Sequence, residues 1–283
     1  MPIMRSTRLA LVAGLAACLT ACVAPVSERI RYARTVADQG DLAPLVFEGS
    51  LPLQGFYRAA EPGKTLYVFI EGDGYAWVSP TQPSRNPTPL VPVALQLAAG
   101  DAAESLLYLG RPGQYLDTRI SQRYWTSARF APEVVQALAD AISQHHDTVI
   151  SGPVVLVGYS GGGTLAALLA QRLLLEKRVE VAGLITVAGN LAPAYWAHSQ
   201  GLSPLSESLD PAEQAATLRA LPQRHLYGSQ DSQVPAAVLK SFLNKMGDQR
   251  CVEILPVQAT HSGPWLNAWR QSREKPLPCS DQD

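Results

Sequence analysis

A mostly parallel α/β sheet flanked by helices, with a small cap-like insertion, is the fold class that this sequence predicts. Three observations lead there. From residue 44 onward, short apolar runs alternate with helix-like stretches. Several of those runs are continuously apolar rather than alternating, as in strands buried on both faces. No internal repeat or long linker interrupts the pattern, so one domain over 44–272 accommodates it.

The strands are expected at Leu45–Glu48, Leu66–Ile70, Ser105–Leu109, Val154–Val157, Gly183–Val187, Arg224–Tyr227 and Val252–Val257. Helices are expected between them at Val91–Ala99, Pro132–Gln144, Gly161–Lys177, Pro235–Met246 and Pro264–Ser272. Pro132 and Pro235 suit first-turn positions, where the missing N–H costs nothing. Two segments fall outside the alternation. Tyr75–Pro92 carries prolines at 80, 83, 87, 89 and 92 and reads as an ordered loop near a cleft. Segment 190–221 is long enough to form the cap, and 273–283 reads as a C-terminal tail.

Composition narrows the class. Of 283 residues, 47% are apolar and 17% charged, which suits a globular core and not a disordered chain. The balance of 23 Lys and Arg against 24 Asp and Glu, with no basic run after the first residues, argues against nucleic acid as a partner. The N-terminus departs from this pattern. Arg5 and Arg8 precede the apolar run Leu9–Ala17, which is too short for a stable membrane anchor and reads as an export signal over 1–21. Leu15-Ala-Ala-Cys18 and Leu19-Thr-Ala-Cys22 both resemble the bacterial lipobox, whose cysteine is lipid-modified after cleavage. Cys22 is preferred, because Val-Ala-Pro-Val-Ser after it looks like the start of a tether over 22–43; Cys18 is the alternative, and a plain secretory signal the simpler reading. The expected location is outside the cytoplasm, on a bacterial membrane through a lipid anchor. Cys251 and Cys279 then remain, an even number that permits one disulfide in an oxidising compartment but fits two unrelated thiols equally well.

The chemistry centres on residues 154–163. Val154-Val-Leu-Val-Gly158-Tyr159-Ser160-Gly161-Gly162-Gly163 is an apolar strand running into G-x-S-x-G and then a helix. A nucleophilic Ser must sit on a tight strained turn, and bulky residues two away on either side would collide. The N–H of Gly161, at the helix start, is placed to stabilise an oxyanion. A phosphate loop would need Lys where Thr164 stands, and a dinucleotide turn would need Gly where Ser160 stands; a purely structural turn is the plain alternative.

A Ser nucleophile needs a base oriented by an acid. Of the five histidines, His145 and His146 close a surface helix, His198 lies in the cap and His225 lies inside a strand. His261 follows the last strand directly and is the best base. Asp231, on the loop leaving the penultimate strand, is the best acid. Asp248 is weaker, and Asp210 reads more simply as the cap of a helix starting at Pro211. The order Ser160, Asp231, His261 is that of the triad in strand–turn–helix hydrolases.

With these residues in place, the stretch from Tyr67 to Trp265 resembles the α/β-hydrolase superfamily, and more narrowly the bacterial lipoprotein-type serine hydrolases. The likeness rests on Ile70-Glu-Gly-Asp-Gly-Tyr-Ala-Trp77, Tyr108-Leu-Gly-Arg-Pro112, Thr126-Ser-Ala-Arg-Phe-Ala-Pro132, Gly158–Gly163, Val187-Ala-Gly-Asn190 and the Asp231 and His261 loops. The resemblance implies a second oxyanion donor, the backbone N–H of Asp73 in Glu71-Gly72-Asp73-Gly74, although Glu71 stands where the family has His. It also implies the outer membrane of a Gram-negative cell, facing the periplasm. Carboxylates at 71 and 73 raise the question of a metal, but two glycines beside them fit a tight turn better, and neither metal nor cofactor is expected.

The function expected is hydrolysis of an ester, or less readily an amide, through an acyl-enzyme; peptidase or acyltransferase chemistry on the same triad and a non-catalytic surface lipoprotein are the alternatives. The partner is a small-molecule acyl substrate. Tyr75, Trp77 and Tyr159 are expected to line its pocket. Tyr195 and Trp196 either face it or pack the insertion on the domain, and the polar run 203–210 argues against a broad lipid-facing lid. Arg111, Tyr115, Trp125 and Arg129 either shape the cleft or buttress its loop.

Overall fold

The computed structural model describes residues 23–59, 61–117 and 119–280. The expected signal segment 1–21, Cys18 and Cys22 lie outside the described residues.

The strands are β1 (Ala43–Phe47), β2 (Leu53–Arg58), β3 (Leu66–Ile70), β4 (Trp77–Ser79), β5 (Gln82–Pro83), β6 (Ser105–Leu109), β7 (Val154–Tyr159), β8 (Val181–Val187), β9 (Gln223–Gly228) and β10 (Val252–Val257). The helices are α1 (Val26–Gln39), α2 (Val93–Ala99), α3 (Pro132–Val149), α4 (Gly161–Glu176), α5 (Pro193–Ser199), α6 (Ala236–Met246) and α7 (Leu266–Arg273). Eight strands form one sheet in the order β1-β2-β6-β3-β7-β8-β9-β10, parallel from β6 to β10 with β2 antiparallel at the β6 edge. Register brings the carboxyl ends level: Ile70 pairs with both Leu109 and Gly158, and Tyr159 with Val187. The loops after β3, β7, β8, β9 and β10 therefore share one edge of the sheet, where open α/β sheets place their ligands.

Continuous apolar strands require covering on both faces, and the core is accordingly split. Helices α3, α4 and α6 cover one face and α1, α2 and α7 the other. Every residue of β7 is buried, and α4 is buried almost all round, from Gly161 through Gln171. Trp269 of α7 is fully buried, edge-on to Phe69 of β3 at 5.4 Å, and its indole N–H donates to Asp101 at 2.9 Å. Truncating such an anchor to Ala costs about 3–5 kcal/mol.

Several expectations need correction. The tether over 22–43 contains α1, whose Ala33, Val36 and Ala37 pack against α2. Its charged composition masks a short apolar stripe at helical spacing. Strand β2 was not expected, because Leu-Gln-Gly-Phe-Tyr-Arg is neither alternating nor continuously apolar. Helix α3 runs five residues further, to Val149, and its His145 is buried against Tyr57 instead of lying on the surface. The tail 273–283 is partly built into the domain. The buried Arg224 guanidinium donates to the carbonyls of Lys275 and Pro276 at 3.1 and 2.6 Å, and Cys279 is joined to Cys251 with their Cα atoms 5.2 Å apart.

The insertion 190–221 consists of α5 and a 3-10 stretch, Pro211–Leu218, started by the Asp210 carboxylate accepting from Ala212 N–H at 2.8 Å. It is tied to the body by Leu209 N–H to Phe130 O (3.0 Å), Gln171 Nε2 to Pro211 O (2.8 Å) and Trp196 Nε1 to Gln233 O (2.7 Å). Ala212, Ala215 and Leu218 enter the core beside α4 and α6.

Candidate active site

Ser160 terminates β7 with φ 52° and ψ −121°, a left-handed conformation that costs a residue with a Cβ of order 1–3 kcal/mol. Neighbouring backbone holds it there. Ser160 N–H donates to Val187 O at 3.0 Å, and its carbonyl accepts from Gly163 N–H at 2.9 Å and Asn190 N–H at 3.0 Å. The turn closes so tightly that a Cβ at Gly158 would overlap the backbone of Gly162 and Gly163.

The three residues expected to cooperate come together. Ser160 Oγ lies 2.9 Å from His261 Nε2, and His261 Nδ1 lies 2.8 Å from Asp231 Oδ2. An ionised carboxylate can only accept, so Nδ1 carries the ring proton and Nε2 is left to accept from the Ser160 hydroxyl. Asp231 is held in turn: its Oδ1 accepts from Gln233 N–H at 2.9 Å and Val234 N–H at 2.8 Å. The His261 carbonyl accepts from the Tyr159 hydroxyl and the Trp265 indole, each at 2.9 Å, and the Tyr159 ring lies 5.4 Å from the imidazole.

The turn after β3 faces the same point. Neither Asp73 N–H nor Gly161 N–H donates to a protein atom among the described residues, so both are free for an oxyanion. A side chain at Gly161 would collide with the Asp73 carboxylate, which shows how closely the two turns approach. The Asp73 carboxylate is bound to Arg111 through Oδ1 and to Arg129 through Oδ2, the latter at 2.7 Å. Burial alone would raise that carboxyl; the Arg129 and Arg111 charges outweigh it and hold it at about 2. Glu71, on the other side of Gly72, is buried and accepts from the N–H groups of Gly72 (2.9 Å), Ala94 (3.3 Å) and Leu95 (3.4 Å) and from the Tyr108 hydroxyl (3.0 Å). Burial pushes its carboxyl up to about 6 against those bonds. Both carboxylates are thus committed to protein partners.

A cavity of about 390 Å³ opens at Ser160 and His261, walled by Tyr75, Leu90, Val91, Asn190, Trp196 and Val234 among others. Tyr75 and Tyr159 line it as expected. Trp77 does not: it sits on the small β4–β5 hairpin, outside the cavity wall. Arg111, Tyr115, Trp125 and Arg129 also lie outside the wall and buttress the loops, as with Trp125 Nε1 donating to Ser84 O at 3.1 Å. Two contributors had no site role assigned from the sequence. Arg29 of α1 stacks over the Tyr75 ring at 5.4 Å, bracing the proline-rich loop. Asn190, which the sequence marks only as the end of the Val187-Ala-Gly-Asn190 stretch, lines the cavity beside the nucleophile, three residues past the end of β8.

No family model and no curated protein matches this chain. Solved structures do. An α/β serine hydrolase without lid from Xanthomonas campestris superposes with a TM-score of 0.51 at 15% identity, over 85% of this chain and 97% of that one. The Pf2001 esterase of Pyrococcus furiosus gives 0.56 at 14%, over 82% and 89%. An α/β serine hydrolase homologue from Coxiella burnetii gives 0.51 at 18%, over 82% and 93%. The chain has the α/β-hydrolase fold.

Proposed function

We propose that this protein is a serine hydrolase that cleaves a small or medium carboxylic ester through an acyl-enzyme. The observation carrying the reading is the unbroken relay from Ser160 through His261 to Asp231, set on a strained turn at the mouth of a cavity. The esterase and serine hydrolases among the structural neighbours support it.

Ser160 Oγ attacks the ester carbonyl while His261 Nε2 takes its proton. Charge collects on the carbonyl oxygen, where the N–H groups of Gly161 and Asp73 donate, each worth roughly 10²–10³ in rate. The tetrahedral intermediate expels the alcohol, which receives the proton from His261. Water then attacks the acyl-enzyme by the same steps, returning Ser160 and releasing the acid. The cavity volume and the bonds fastening the insertion favour a modest substrate over a lipid requiring a mobile lid.

Export and anchoring through Cys22 belong to the same proposal. The Cys251–Cys279 bridge supports an oxidising compartment, and no described helix is long and apolar enough to cross a membrane. An intact mass of the mature protein lacking acylation at Cys22 would refute the anchor. For the chemistry, a fluorophosphonate probe should label the wild type and not Ser160→Ala, with both variants equally folded by circular dichroism. Labelling that survives in Ser160→Ala overturns the assignment.

A further inference from the structure

Outside the relay, Glu71, Asp73 and Asn190 are polar side chains in the cavity wall, Glu71 and Asn190 buried and Asp73 24% exposed. The first two are fully engaged, by backbone N–H groups and a tyrosine in one case and by two guanidinium groups in the other. Asn190 is not. It is 3% exposed; its Oδ1 is sealed and without a hydrogen-bond partner, and its Nδ2, which is not sealed, makes no hydrogen bond among the described residues.

Its backbone cannot swing the amide elsewhere. The N–H is bonded to Ser160 O at 3.0 Å, and the carbonyl accepts from Thr164 Oγ1 on α4. Asn190 is thus clamped to both sides of the nucleophile turn, in the wall of the cavity a substrate must enter. A buried amide without a partner costs about 1–3 kcal/mol, and replacement by an apolar group of similar shape is near neutral for folding. Such a group calls for a partner, and beside a nucleophile a bound substrate can supply one.

We propose that Asn190 is a specificity residue that hydrogen-bonds a hydroxyl or amide group of the substrate near the scissile carbonyl. The substrate class is therefore an ester with a polar substituent close to the bond cleaved, not a plain aliphatic ester. A hydroxyl satisfies the amide whichever way its oxygen and nitrogen point, since it both donates and accepts. A site that pairs a substrate hydroxyl rejects the analogue lacking it, because its own polar group is then left unpaired. This inference rests on the hydrolase reading and deepens it.

The test compares matched pairs: p-nitrophenyl butyrate against its 2- and 3-hydroxybutyrates and N-acetylglycinate, and ethyl butyrate against glyceryl monobutyrate. The wild type should prefer the polar member of at least one pair by about tenfold or more in kcat/KM. Asn190→Leu should bring that ratio to about one by losing the polar substrate alone, with an unfolding midpoint equal to or above the wild type's. Asn190→Asp, an isosteric acceptor, should retain preference for the hydroxylated ester. A wild type indifferent in every pair, or an Asn190→Leu variant that keeps its preference or loses stability, overturns the proposal. Fluorophosphonate labelling separates the two levels: Asn190→Leu labelled without a change in preference defeats this inference alone, whereas an unlabelled wild type defeats the hydrolase reading.

Discussion

Replacing Asp73 by Asn tests whether the turn after β3 is fixed by charge. The carboxylate is shared by two buried guanidinium groups, Arg111 and Arg129, and its own side chain is 24% exposed. Holding a carboxyl at about 2 instead of its ordinary 3.8 contributes roughly 2 kcal/mol at neutral pH. Removing one partner of a buried ion pair costs about 3–5 kcal/mol, because a cation is left without compensation. Asp73→Asn should therefore lose about 2–5 kcal/mol. At about 2–4 °C per kcal/mol for a domain of this size, its midpoint should fall by roughly 4–20 °C in thermal unfolding at pH 7. The sign of the pH dependence follows from the lowered value. A depressed carboxyl contributes fully above its ordinary 3.8 and loses that contribution as pH falls through about 2. The gap between wild type and variant should thus be constant near neutrality and close under acid. The backbone donor survives the substitution but loses its anchor, so kcat should drop about ten- to a hundredfold. A midpoint within about 2 °C of the wild type at pH 7, or a gap that widens on acidification, would refute the reasoning.

Two further outcomes are expected. Glu71 has its carboxyl raised from 4.5 to about 6 by burial, so its contribution to stability is fully present below 4.5 and is lost as pH rises through about 6. Relative to Glu71→Gln, the wild type should lose roughly 2 kcal/mol across that interval in urea titrations, and a difference that is flat with pH would count against it. The comparison must be differential, because burial also lowers His145 to about 4 and His225 to about 3, and both add stability as pH rises. The Cys251–Cys279 bridge spans a sequence separation of 28, for which loop-closure entropy gives about 3–4 kcal/mol. Cys279→Ser should lower the midpoint by roughly 5–15 °C, and two titratable thiols in the denatured, unreduced wild type would exclude the bridge.

What could be read from the sequence divides along physical lines. Ser160 was legible because a nucleophile turn is a local demand, met by glycines at 158 and 162 between a strand and a helix. Asp231 and His261 were legible because parallel strands deliver their following loops to one edge, so chain order stands in for position. The partners of Asp73 were not. Arg111 and Arg129 lie 38 and 56 residues away, and nothing local distinguishes a guanidinium that neutralises a buried carboxylate from one facing solvent. Helix α1 was hidden for a related reason: its apolar stripe is short, and it is a helix chiefly because α2 offers a surface to bury it against. Trp77 adjoins the turn after β3 in sequence but not in space, because the β4–β5 hairpin carries it outside the cavity wall.

Glu71 in the position where the resembling hydrolases carry His is a substitution the rest of the structure accommodates. Under the proposed hydrolase reading, the turn must keep the Asp73 N–H at the oxyanion position. An imidazole is one solution; here two carboxylates flank Gly72 and pull in different directions. Glu71 reaches toward the backbone at Ala94 and Leu95 and toward Tyr108, whose hydroxyl lies 2.9 Å from that of Tyr115. Asp73 reaches toward Arg111 and Arg129, and Arg111 is itself fixed by donating to the Arg129 carbonyl at 2.6 Å. Gln114 adds a third tie, its Nε2 donating to Gly72 O at 3.0 Å while its Oε1 accepts from Arg111 N–H at 3.0 Å. A turn held from several sides needs little reorganisation as charge develops on the substrate, the condition under which oxyanion donors are most effective. The charges balance as well: with both carboxyls ionised, the two arginines are matched, so in the proposed mechanism an oxyanion would meet N–H dipoles without a surplus negative charge behind them.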